Sequence, residues 1–285
     1  MLKEILEFQK NEITEYHVYR RLSKRVKNEN VKILLSIAED ERKHYETLKD
    51  ISGKEIKPSK FLIFWYSLLA ILFGITFALK LMEKNEKKAE KAYKNIAKNY
   101  PEVVKIMRDE EKHEEELLNM LDEERLNYVS SMVLGLNDAL VELTGALAGL
   151  TYAFQNSKIV GLSGLITGIA AAFSMSASEY LSQRAEEENG KTNPLKAALY
   201  TGLAYIVTVT ILVAPFLILN NPFLALAITL IGAALIVLLF TFFVSIVKEK
   251  NFGKYFLEMF LLSFGVAAFS FFVGIIARKI FGIEI

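Results

Sequence analysis

The chain has 285 residues, with 34 Lys and Arg against 33 Asp and Glu, a formal net charge of +1. That balance gives no global drive toward nucleic acid, and the length leaves room for two domains. There is no cysteine, which excludes disulfides, thiolate metal sites and Fe–S clusters and leaves the compartment open. The charge is unevenly placed: most of it precedes Arg125, and the remainder is largely apolar. The N-terminus has no apolar h-region, so no cleavable signal peptide is expected.

The first part reads as four helices. Residues 2–27 place Ile5, Phe8, Glu12, Glu15, Tyr19 and Leu22 near one face. A second helix covers 29–50, with Asn28 or Asn30 as its cap, and Ser52-Gly53 ends it before Pro58. A third runs to about Asn99, and Pro101 starts a fourth that runs to about Glu124.

Two patterns in these helices occur twice. Glu41-Arg-Lys-His44 and Glu110-Glu-Lys-His113 are one motif, and each follows a Glu that stands seven residues before a Tyr: Glu12 with Tyr19, and Glu86 with Tyr93. Glu and His three apart share a helical face. A single Glu-x-x-His arises by chance on charged helices, whereas this doubled order is the donor set of a dinuclear site in a four-helix bundle. The expected ligands are Glu12, Glu41, His44, Glu86, Glu110 and His113. Glu15 and Glu90, one turn from a primary Glu, are second choices that read first as surface charge. Tyr19 and Tyr93 are expected in the core near the site, His17 on the surface, and Glu114 to Glu116 and Glu123-Glu124 in solvent. Carboxylates and imidazoles suit Fe(II), Mn(II) or Zn(II). On these motifs, residues 1–127 resemble the rubrerythrin-like branch of the ferritin-like superfamily. The resemblance implies a dinuclear iron centre without the rubredoxin domain of classical rubrerythrins.

Residues 61–79 carry no charge. A bilayer crossing there would put Glu12, Glu41 and His44 on one side and Glu86, Glu110 and His113 on the other. The segment is therefore expected as the long crossover between helices two and three, covering the bundle or lying on the membrane surface, and not spanning.

From Tyr128 onward five apolar runs can each cross a hydrocarbon core of ~30 Å: 129–154, 159–181, 197–219, 222–247 and 255–277. The loops after the second and fourth hold Arg184, Lys191 and Lys196, and Lys248, Lys250 and Lys254. Basic loops favour the cytoplasm. The N-terminal domain is therefore expected in the cytoplasm and the C-terminus outside, in a multi-pass protein of the cell membrane. The fold class is all-α.

Within the first span Gly135, Asp138, Glu142, Gly145 and Gly149 follow steps of three and four, as do Gly161, Gly164, Gly168, Ala172, Met175 and Glu179 in the second. Small residues let two helices approach closely. Acidic groups inside a span are expensive and face a partner or a water-filled path. In antiparallel spans Asp138 and Met175 fall at similar depth, with Glu179 nearer the mouth. The run Gly135 to Gly149, followed by Ser174-Met-Ser-Ala-Ser-Glu-Tyr-Leu-Ser182, resembles the vacuolar iron transporter family. That resemblance covers the whole second half, 128–285. It implies dimers that exchange Fe(II) or Mn(II) for protons, with Asp138, Glu142, Met175 and Glu179 on the metal path. Plant-type members carry a long Glu- and Met-rich insertion after span two. Here that stretch is only Gln183 to Lys196, and the ferritin-like domain stands in its place; Glu186, Glu187 and Glu188 read first as a solvated loop, with a vestige of the insertion as the alternative. The reading that follows is an exporter of Fe(II), or Mn(II), driven by protons, whose partners are divalent metal ions, protons, lipid and a second copy. The alternative is a membrane-tethered ferroxidase or peroxidase-type di-iron protein. Asp138 and Glu142 discriminate, because an anchor does not need them.

Overall fold

The computed structural model describes residues 2–27, 29–120, 128–185 and 193–281. The chain divides into two compact units, Met1–Glu123 and Glu124–Ile285, and no strand occurs among the described residues.

The first unit contains α1 (Leu2–Leu22), α2 (Glu29–Ser52), α3 (Lys60–Phe73), α4 (Ile75–Ala97) and α5 (Val103–Met120). A 3₁₀ turn, Ser23–Arg25, extends α1. Helices α1 and α2 pack along their length, and α5 packs against α2 and α4. The apolar steps along α1 place Ile5, Phe8, Val18 and Leu22 inside. At one end Ile5 and Phe8 meet Leu48, Tyr93, Ile96, Val103 and Ile106.

The connection between the two helical pairs is itself a helix. Ser59 caps α3 by accepting from the Leu62 N–H and ties it to α1 by donating its own N–H to Thr14 Oγ1 at 2.9 Å. Gly74 then breaks the chain with φ 95° and ψ 158°, a conformation that glycine adopts readily and side-chain-bearing residues do not. The direction reverses there, since Asn85 Nδ2 donates to Tyr66 Oη at 3.1 Å, whereas a continuous helix would hold them about 28 Å apart. Helix α3 packs on α1 and α4. The expected third helix is thus two, and the uncharged stretch 61–79 is divided between them. Expected boundaries move elsewhere too: α5 begins at Val103, after a turn at Pro101-Glu102, and the proposed Asn28 cap lies outside the described residues.

The second unit contains α6 (Val129–Phe154), α7 (Ser157–Ala185), α8 (Pro194–Ile218), α9 (Pro222–Val247) and α10 (Phe252–Phe281). All five are long and apolar enough to cross a membrane. Asn193 and Asn221 cap α8 and α9 with their side-chain oxygens, each followed by a proline at the first helical position. Helix α6 is central and touches the other four. Its core layer, Leu140, Leu143 and Leu147, meets Tyr205, Val209, Leu212 and Phe216. Phe173, Leu199, Leu235, Leu261 and Phe269 face outward, as a lipid-facing surface requires.

The glycines lie on helix-packing faces, as their spacing suggests, but that spacing did not name their partners. Gly135 lies against the Thr201 carbonyl of α8, and Gly149 against Ser270 and Gly274 of α10. Gly161 lies against Phe216 and Leu217, and Gly168 against Val209, all on α8. Gly164 and Gly168 also meet α6, at Leu147 and Leu143. Small residues permit close packing, but periodicity within one helix does not name the neighbour.

Candidate metal centre and membrane cleft

The repeated Glu and His residues converge inside the bundle. Glu12 comes from α1, Glu41 and His44 from α2, Glu110 and His113 from α5. Glu12, Glu41, His44 and Glu110 each present a donor atom within 4.8 Å of the others. The arrangement has an internal twofold character. Glu41 reaches His44 Nδ1 through one oxygen at 3.6 Å and His113 Nδ1 through the other at 3.3 Å. Glu110 does the same, at 3.2 Å to His44 and 3.6 Å to His113. Two carboxylates therefore each lie between two imidazoles, and Glu12 adds an oxygen 3.3 Å from His44 Nδ1. Glu86 belongs to α4, but its side chain and that of Glu90 lie outside the described part of the structure. Glu15 is half-buried on α1, outside the converging group, and His17 is exposed.

Glu12, Glu41, His44 and His113 are almost fully buried. Glu12 Oε2, both Glu41 oxygens and both Nδ1 atoms make no hydrogen bond among the described residues. Buried polar atoms left in that condition are expensive. Acceptors and imidazoles turned toward one space suit a divalent cation of the Fe, Mn or Zn type, so the residues present fit such an ion.

The electrostatics agree. Burial pushes Glu12 well above the usual carboxylate range, and the Glu41 and Glu110 charges add to it. Burial also acts to raise Glu41, but its contacts with His113 and His44 outweigh that and hold it at about 2. Burial depresses both imidazoles. Contacts with Glu110 and Glu41 override this for His113 and lift it to about 10, and contacts with Glu110, Glu12 and Glu41 raise His44 well above the normal range. Without a metal, the protein balances its carboxylates with imidazolium protons.

Two residues that sequence reasoning passed over stand behind the histidines. His44 Nε2 lies 3.2 Å from Asp109 Oδ2, and His113 Nε2 lies 3.5 Å from Asp40 Oδ2. Each aspartate directly precedes the glutamate of the opposite motif, so the two copies support each other crosswise. A carboxylate behind the ring fixes its tautomer and aims the other nitrogen at a metal. The signal was present, because Asp precedes Glu in both copies. Tyr93 is buried, stacks on Phe8 at 4.0 Å and donates its hydroxyl hydrogen to Glu12 Oε1. Burial, then the Glu12 and Glu110 charges, raise its pKa well above that of a free phenol. Tyr19 is also buried.

In the second unit, Asp138 and Glu142 on α6 and Met175 on α7 line one cleft of about 420 Å³, with Thr167, Ala170, Ala171, Ser174 and Ser178. Asp138 is half-buried and Glu142 is exposed. Tyr205, fully buried on α8, donates to Glu142 Oε2 at 2.7 Å. No spacing rule pointed to that tyrosine. Glu179 is not among the residues lining the cleft. It is buried and accepts from Ser131 Oγ at 2.6 Å and from Gln183 Nε2 at 3.2 Å, which ties the end of α7 to the start of α6. Glu186, Glu187 and Glu188 lie outside the described residues, as do Glu123 and Glu124.

Among known protein families, the VIT family matches residues 129–192. The match covers the two helices that line the cleft and the connection after them, and no part of the first unit. No curated protein matches the chain.

Proposed function

We propose that the chain is a membrane transporter that moves Fe(II), or Mn(II), out of the cytoplasm in exchange for protons, with a cytoplasmic ferritin-like bundle that binds, senses or oxidises the metal. The observation that carries this reading is the cleft shared by Asp138, Glu142 and Met175. Two carboxylates one turn apart within a span are costly in lipid, and an anchor has no use for them. Carboxylate and thioether donors together suit a divalent transition metal, and carboxylates on a path can alternate between metal and proton. The VIT family match to these two helices supports the same reading. The exposure of Glu142 in a single protomer supports a homodimer, since a second copy would take these carboxylates out of contact with lipid.

In the bundle, Glu12, Glu41, His44, Glu110 and His113 and, by the sequence repeat, Glu86 would hold the metal. When bound there, iron supplies redox chemistry toward oxygen or peroxide. The chain's own residues supply donors, exclude water and keep a proton on Tyr93 facing Glu12. That tyrosine beside a buried donor set favours the second reading, a membrane-tethered ferroxidase or peroxidase-type protein.

Proteoliposomes separate the two. Wild-type protein is expected to accumulate Fe(II) faster under an imposed pH gradient. Asp138→Asn keeps the size of the side chain and removes its charge, and is expected to reduce flux to background while the bundle keeps its metal. Equal accumulation by both proteins would overturn the transport reading and leave the tethered enzyme.

A further inference from the structure

We propose that the outward face of α3 is an interfacial membrane anchor that seats the first unit on the anionic headgroup layer of the bilayer its own chain spans. One side of α3 packs on the bundle, with Tyr66, Leu69 and Ala70 buried. The other side is an apolar stripe at steps of three and four: Phe61, Phe64, Trp65, Leu68 and Ile71. Phe61 is 69% exposed, Phe64 58%, Trp65 40% and Ile71 55%. These are large side chains on one contiguous face, and Phe61 and Trp65 stack on each other at 6.4 Å. Such a patch on a water-facing unit marks an interaction surface.

Three features identify the occupant as lipid. The stripe carries no charge from Phe61 to Leu79, and its N-terminal end is flanked by exposed Lys54, Lys57 and Lys60 against one acid, Glu55. An apolar face with a basic margin matches an anionic surface, and aromatic side chains, Trp above all, settle at the headgroup boundary. At 14 residues, α3 is about 21 Å long, too short to cross a core of ~30 Å but suited to lying in its surface. The bilayer is also always within reach. The first span follows this unit in the same chain.

The chain carries its own reporter, because Trp65 is its one tryptophan. The full-length protein can be placed in nanodiscs of phosphatidylcholine and phosphatidylglycerol in which one lipid is brominated at a chosen depth. An interfacial helix sinks about 5–10 Å. Trp65 emission is therefore expected to lose most of its intensity with bromine near the headgroup end of the acyl chain, and less with bromine near the chain terminus. Lys57→Glu with Lys60→Glu is expected to weaken the quenching and abolish its dependence on phosphatidylglycerol. Phe61→Ser with Phe64→Ser is expected to weaken it at every lipid composition. Emission indifferent to brominated lipid at every depth would overturn the proposal. So would a Trp65→Cys protein that forms a disulfide between copies in this cysteine-free chain, because the face would then belong to a second copy.

Discussion

The two acidic clusters of this chain solve one problem in opposite ways. In the bundle, Glu12 and Glu41 are buried and face histidines that can carry compensating protons. In the membrane unit, Asp138 and Glu142 line an open cleft with no basic side chain among its lining residues, only a tyrosine hydroxyl on Glu142. The first arrangement is internally balanced and preorganised, as a site that retains an ion must be. The second is open and unbalanced, as a site that passes an ion on should be. The difference lies in the supply of imidazole and in burial, since carboxylates are common to both.

Removing the imidazoles should break the comparison most strongly. His44→Ala leaves buried carboxylates without their partner, and breaking a buried pair in this way costs about 3–5 kcal/mol. His44→Ala with His113→Ala should eliminate anaerobic Fe(II) binding by the bundle of the full-length protein and lower its thermal midpoint. Unchanged metal stoichiometry would show that the bundle is not the binding site.

The crossed aspartates come next. Asp40→Asn with Asp109→Asn keeps all the direct donors but loses the charge behind each ring, and should weaken metal affinity about 10–100-fold. An unchanged affinity in a metal-competition titration would mean that these contacts do not orient the histidines.

Packing of the membrane unit gives a comparable effect. Gly135→Val puts side-chain atoms into the Thr201 carbonyl, and overpacking of this kind costs about 1–3 kcal/mol. Unfolding in detergent should show the loss in the second unit, with bundle metal content intact.

The pH dependence is subtler and reverses sign with metal. His113 stands at about 10 in the folded chain against about 6.5 unfolded. A raised pKa adds stability that is complete below about 6.5 and is lost as pH rises through the folded value. The metal-free protein should therefore lose thermal stability between neutral and alkaline pH. Metal affinity should rise over the same range, because ions displace those protons. A metal-free midpoint that climbs with pH would contradict the charge balance described for the bundle.

The most local change is Tyr205→Phe, which removes one hydrogen bond to Glu142, worth about 1.5–3 kcal/mol when the acceptor is charged. Its diagnostic is the pH profile of flux. If Tyr205 only fills space, the profile will not move.

The sequence by itself determined what is local and periodic: the apolar steps of nine expected helices, five of them runs long enough to span, and a doubled Glu and Glu-x-x-His order whose spacing puts each Glu and His on one helical face. Such features need only the 3.6-residue period, which one segment carries alone. Relations between helices were left to the tertiary structure, because they depend on the register and rotation of one element against another. That is why Asp40 serves His113 and Asp109 serves His44, and why Tyr93 meets Glu12 on a helix remote in sequence. Register likewise gives Gly135 and Gly149 to the third and fifth spans, and ties Glu179 to Ser131 while Met175, one turn earlier, lines the cleft. The reversal at Gly74 belongs to the same class. A glycine in an apolar run reads as a tolerated helical residue, and only the packing of α3 on α1 and α4 makes it a turn.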